Sequence, residues 1–173
     1  EWQELYDESY GASSRKDPTF DITGWRSSYT GAPIPEEEMR EWVEGRVATV
    51  AGFGAEKILE IGCGTGLLLT RLAKGCESFE GVDLSRPALE RLRDWVTAEG
   101  LSHVHLQHGV ADQFVPRVEA PNLILLNSVV QYFPSDAYLE RVLTRAVEYA
   151  ADGGRVFVGD VRHLETLSAF HLE

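Results

Sequence analysis

The stretch Lys57-Ile58-Leu59-Glu60-Ile61-Gly62-Cys63-Gly64-Thr65-Gly66, followed by a leucine-rich run and then Phe79-Glu80-Gly81-Val82-Asp83-Leu84-Ser85, decides how the rest of the chain is read. A short apolar run enters a glycine-rich turn, an amphipathic segment follows, and a second apolar run ends on an aspartate. This is the pattern of a strand–turn–helix–strand unit whose loop approaches a nucleotide-like ligand closely. The second strand, about Phe79 to Asp83, ends beside Ser85, a good N-cap, with Pro87 in the first turn of the helix it opens.

Working outward, Leu67, Leu68, Leu69 and Leu72 predict the helix after the glycine turn, with Gly75 as its cap. Leu89, Leu92 and Val96 line the next helix and Gly100 ends it. Val104 to His108 alternates, which suggests an edge strand. His103, His105 and His108 then read as a strand flank, because no carboxylate or Cys joins them at a metal-ligand spacing; no metal is expected. Asn122 to Leu126 is almost purely apolar, as a central strand should be, and polar groups return at Asn127-Ser128-Val129-Val130-Gln131-Tyr132-Phe133. Ser135 caps a helix with a stripe of Leu139, Val142, Leu143, Ala146, Val147 and Ala150. Asp152-Gly153-Gly154 breaks it, Arg155 to Gly159 forms a fifth strand, and a short final helix follows Asp160-Val161-Arg162-His163.

Upstream, Pro35-Glu36-Glu37-Glu38 sets proline and acids in a helix first turn, and Met39, Trp42, Val43, Val47 and Val50 keep helical spacing. Residues 1–34 stand apart. Trp2, Tyr6 and Tyr10 share a face of a short helix, and Gly11 to Pro35 is loop carrying Phe20, Trp25 and Tyr29. Those rings either pack the loop onto the domain or form a lid over a ligand. The expected organisation is therefore an aromatic segment, 1–34, and a core, 35–173, in which strand and helix alternate five times. Such alternation implies a parallel, Rossmann-like α/β sheet covered by helices on both faces, with the ligand at the strands' carboxyl ends. Gly62 to Gly66, Asp83, Asp112, Asn127 and Asp160 all fall on that rim.

Bulk properties narrow the class. A chain of 173 residues suits one domain with a real core, and 43% hydrophobic with 25% charged residues is ordinary for a globular protein. The formal net charge of −12 argues against a nucleic-acid partner. No apolar run is long enough for a membrane helix, and nothing resembles a signal peptide. Cys63 and Cys76 show no disulfide framework, which fits a reducing cytoplasmic setting. The chain begins at Glu1 without Met, which reads as a piece excised from something longer.

The glycine loop alone leaves the cofactor open. The nicotinamide fingerprint is G-x-G-x-x-G, whereas here the third glycine, Gly66, gives G-x-G-x-G and Leu67 takes the fingerprint's last position. Asp83 is placed to accept both ribose hydroxyls in either case. Leu59 to Gly66, however, resembles the first motif of class I S-adenosylmethionine-dependent methyltransferases, and Gly81-Val82-Asp83-Leu84-Ser85 resembles their second. Asp21-Ile22-Thr23-Gly24-Trp25-Arg26-Ser27-Ser28-Tyr29-Thr30-Gly31, Asn127 to Pro134 and Gly159-Asp160-Val161-Arg162 resemble the methyltransferase domains embedded in nonribosomal peptide synthetases.

The resemblance implies S-adenosylmethionine as cofactor and the following roles. The backbone of Gly62, Cys63, Gly64 and Gly66 would pass the methionine part, with Glu60 ordering the loop. Asp83 would hold the ribose and Leu84 pack on the adenine, whose amino group would meet the Ala111-Asp112 turn. Asn127 and Ser128 would lie beside the sulfonium, with Trp25, Ser28 and Tyr29 closing over it. The antiparallel hairpin that usually follows the fifth strand in such enzymes is expected to be missing. The expected reaction is N-methylation of an aminoacyl group held on a carrier protein, beside neighbouring synthetase domains. Asn127, Gln131, Tyr132, Asp160 and Arg162 are the candidates to orient the amine or take its proton. No Asn-Pro-Pro-Tyr-like motif follows the fourth strand, which counts against methylation of bases or glutamine amides. Oxygen or carbon methylation, a catalytically silent interaction domain and a nicotinamide oxidoreductase are the alternatives.

Overall fold

The computed structural model describes residues 17–163 and 165. Five strands form one parallel sheet: β1 (Lys57–Ile61), β2 (Ser78–Asp83), β3 (Val104–His108), β4 (Leu123–Asn127) and β5 (Arg155–Gly159), in the order β3-β2-β1-β4-β5. The helices are α1 (Glu36–Ala51), α2 (Leu69–Leu72), α3 (Arg86–Ala98) and α4 (Asp136–Tyr149). The strand order reverses between β1 and β4, and a crevice must open at the carboxyl ends where it does.

Strand parity sorts the core into two faces. Ile58, Leu123 and Leu125 pack with Phe79, Leu89, Leu92, Trp95 and Val50, under α1 and α3. Leu59, Ile61, Ile124 and Leu126 pack with Val142 and Ala146 of α4 and with Phe114 and Val118. β1 and β4 are the central strands, and every residue of β4 is buried, as its apolar run requires. Ser85 accepts the N–H of Ala88 to start α3, and Ser135 accepts that of Tyr138 to start α4.

Four expectations need correction or limiting. The helix after the glycine turn is a single α-turn, α2, running on into a 3-10 turn over Ala73–Gly75. No helix joins β3 to β4, so the alternation of strand and helix is broken once. There, buried Glu80 reaches out of β2, and its Oε2 accepts the backbone N–H groups of Arg117 (2.6 Å) and Val118 (3.0 Å). Those amides are thereby satisfied without helical partners. Among the described residues β3 and β5 are the two outer strands. The face of Trp2, Tyr6 and Tyr10 and the final helix lie outside the described residues.

Residues 17–34 form a strap. Phe20 and Ile22 are buried against Met39 and Val43 of α1 and Leu67 of the glycine turn. Thr65 Oγ1 donates to the carbonyl of Asp21 at 2.6 Å, and Arg71 Nη1 to that of Thr19 at 2.6 Å. The strap is thus packed onto the domain at its start while its later residues face the crevice.

Candidate functional site

At the reversal point lies a cavity of about 830 Å³. Its floor is the glycine turn. The Gly62 and Cys63 N–H groups both donate to Val82 O, at 2.7 and 3.1 Å, which ties the turn to β2. Gly62 (φ +81°), Gly64 (φ +51°) and Gly66 (φ +83°) all hold left-handed conformations. A Cβ on Gly62 would lie 2.6 Å from Val129 Cγ2, so the turn can approach the end of β4 only without one. Gly66 does not line the cavity; a Cβ there would lie 2.3 Å from Leu92 Cδ2 in α3. Gly66→Ala should therefore lower the unfolding free energy by about 2–4 kcal/mol in urea titrations, from left-handed strain plus overpacking.

Two carboxylates stand behind the turn, and their roles differ from expectation. Asp83, not Glu60, orders the loop: its Oδ2 accepts the Gly64 N–H at 2.7 Å and its Oδ1 the Ser85 N–H at 2.8 Å. Glu60 is only 4% exposed, and its Oε2 has no hydrogen-bond partner. Burial, reinforced by the negative charge of Asp83, pushes the Glu60 carboxyl up to about 8. Burial also raises Asp83, against the lowering effect of its backbone hydrogen bonds.

The walls gather most of the other candidates. Leu84 and Ala111 line one side; Asn127, Ser128, Gln131 and Tyr132 border the end of β4; Asp160 and Arg162 follow β5; Trp25, Ser28 and Tyr29 come from the strap. Asp112 does not line the cavity. Its carboxylate turns to Arg141 of α4, whose Nη2 lies 3.3 Å from Oδ2. Asn127 Nδ2 donates to Ser128 Oγ at 3.1 Å, and the Ser128 hydroxyl donates in turn to Asp160 Oδ2. Asp160 Oδ1 accepts Arg46 Nη2 at 2.5 Å and Trp42 Nε1 at 3.4 Å.

Sequence reading missed Trp42 and Glu38, which line the cavity from α1, and Arg46 behind them. The available signal was their spacing of four, which sets the three on one helix face. Tyr138 was also missed. It lines the cavity from α4, its ring 4.9 Å from that of Phe133, and burial raises its hydroxyl pKa, with Asp112 adding to the shift. The His103 and His108 rings each meet a backbone carbonyl, of Ala73 and Leu84.

A protein-family model described as "Methyltransferase domain" matches residues 58–154, from β1 to the turn before β5. The chain belongs to that family. It is therefore one of the S-adenosylmethionine-dependent methyltransferases that its motifs resemble, and the nicotinamide alternative falls. The methyltransferase domain is 47% identical, over 99% of this chain, to CymA of Salinispora arenicola, described as a "Probable non-canonical nonribosomal peptide synthetase". It is 42% identical, over 98% of this chain, to chondramide synthase cmdD of Chondromyces crocatus. It spans only 2% and 4% of those relatives' lengths. Among solved structures, N-methyltransferase NodS from Bradyrhizobium japonicum, in complex with S-adenosylhomocysteine, shares the fold at a TM-score of 0.65 and 20% identity, covering 90% of this chain and 71% of that one.

The residues present fit the methyl donor. Gly62, Cys63 and Gly64 line the cavity floor, Asp83 keeps spare lone pairs on oxygens already fixed by backbone donors, and Glu60, which also lines the cavity, offers an unsatisfied buried oxygen.

Proposed function

We propose that this methyltransferase domain N-methylates an aminoacyl group tethered to a carrier protein, among neighbouring domains of a nonribosomal peptide synthetase in the cytoplasm. The observation that carries this reading is the match over nearly the whole chain to two such synthetases, strap and strand ends included. No helix among the described residues is long and apolar enough to cross a membrane.

S-adenosylmethionine supplies a methyl group on a sulfonium, ready for in-line displacement. The chain's work is then positioning and exclusion of water. Asp83 would hold the ribose hydroxyls, Leu84 and Ala111 would flank the adenine, and the turn of Gly62, Cys63 and Gly64 would carry the methionine part. Asn127 and Ser128 would border the reacting end, with Trp25, Ser28 and Tyr29 closing the wall above it. Gln131, Tyr132 and Arg162 surround the acceptor nitrogen. That nitrogen must be neutral to attack, and a free α-amino group titrates at about 7.7–8.0, so no strong base is required and water takes the proton. Asp160 serves as a positioning group, since guanidinium and indole donors already hold it.

The test is mass spectrometry of aminoacyl-loaded carrier protein after incubation with the chain and S-adenosylmethionine. One added methyl on the α-nitrogen is the expected product. A methyl on oxygen or carbon, or none on any loaded carrier, overturns the assignment.

A further inference from the structure

Asp160 lies where three parts of the site meet. Its carboxylate takes Arg46 and Trp42 from α1 on one oxygen and the Ser128 hydroxyl, from the end of β4, on the other. Trp42 in turn packs on Trp25 of the strap, ring centroids 4.7 Å apart. Ser128 (φ +55°) and Asp160 (φ +58°) both hold left-handed backbone that residues with side chains adopt at a cost. A strained pair of this kind persists only when its surroundings over-determine it, and here the two strained residues bond to each other. The remaining ties on Asp160 come from α1, the Trp42 indole and the shorter ion pair to Arg46. The side chains are 30% and 22% exposed, so the pair is shielded more than a surface one.

We propose that Arg46 is a positioning residue for methyl transfer: by holding Asp160 from α1 it sets both Ser128 and the Trp42–Trp25 wall, the two sides between which the acceptor nitrogen is presented. This rests on the N-methylation reading above. Arg46 does not line the cavity itself, so its influence passes through Asp160. Arginine suits the place because its planar fork keeps a fixed direction, whereas a lysine ammonium gives a mobile point charge.

The test compares Arg46→Gln, Arg46→Lys, Asp160→Asn and the Arg46→Gln/Asp160→Asn double variant. The acceptors are a set of aminoacyl N-acetylcysteamine thioesters covering the standard side chains. Arg46→Gln should cut kcat/KM for the thioester about 10–100-fold, as a small misplacement near reacting atoms does. Its Kd for S-adenosylhomocysteine, by calorimetry, should move no more than about threefold, since the hydrogen bonds that fix Asp83 and the glycine turn involve neither Arg46 nor Asp160. Arg46→Lys should recover part of the loss, and it keeps the test open if the glutamine variant does not fold. The double variant should be no worse than the poorer single one, because both cut one link. Independently of activity, amide exchange over residues 25–31 should quicken in Arg46→Gln. Unchanged kcat/KM, losses that add in the double variant, unchanged exchange in the strap, or a Kd loss as large as the kcat/KM loss would each overturn the proposal. A wild-type chain that binds no S-adenosylhomocysteine takes the underlying reading down with it. A wild-type chain that binds and methylates while Arg46→Gln matches it sinks this inference alone.

Discussion

Glu60→Gln should stabilise the ligand-free chain at pH 8 and leave it unchanged near pH 4. In the folded chain the Glu60 carboxyl is pushed up to about 8, first by burial and then by Asp83, from an ordinary value of 4.5. Between those two values the unfolded chain has lost the proton that the folded chain keeps. Stability is therefore full below pH 4.5 and falls as pH rises toward 8. Asp83, also raised by burial, acts in the same direction. Glutamine removes the Glu60 part of this slope, a gain on the order of 2–4 kcal/mol at pH 8. Urea denaturation at pH 4, 6 and 8 reads it directly, and a wild-type stability that rises across this range would refute the account. The same group should report ligand binding. A cationic ligand group brought to the unsatisfied Oε2 favours the charged form, so binding S-adenosylhomocysteine at pH 7 should release protons from the wild type and none from Glu60→Gln. Calorimetry in buffers of different ionisation heat separates the two.

Asp83→Asn should weaken S-adenosylhomocysteine binding about 100-fold, as expected when a charged, bidentate acceptor is removed from two hydroxyl donors and one amide N–H is turned against backbone donors. Both oxygens of Asp83 already accept backbone N–H groups, from Gly64 and Ser85, so a carboxamide can satisfy only one of them. The loss should fall on the cofactor's Kd with the fold retained. Removing a like charge beside Glu60 lowers that residue's raised pKa and offsets part of the damage to stability. A Kd within about threefold of wild type would show that the ribose is not held here.

Much of this site can be read from local pattern. The apolar run of β1, the glycines of the turn and the acid ending β2 lie within 27 residues of one another, Lys57 to Asp83, and each states its conformation through side-chain type alone. The rim positions of Asn127 and Asp160 follow once parallel strands are inferred, because such strands all end on one side. The turn after β3 was legible as a place but not as a contact: Ala111 faces the cavity while Asp112 is drawn to Arg141, 29 residues on in α4. No spacing rule anticipates that choice.

By itself, then, the sequence determined the strands, their parallel direction and a glycine turn with an acid behind it. Period-2 and period-3.6 patterns are local, and left-handed turns need glycine. Only the tertiary structure decided which carboxylate does what. It left Glu60 buried with its Oε2 unsatisfied, gave the loop to Asp83, and tied Asp160 to Arg46 and Trp42 across 114 and 118 residues. A charge's role depends on how far it is desolvated and on which partner folding brings within hydrogen-bond reach, and neither quantity is carried by neighbours in the chain.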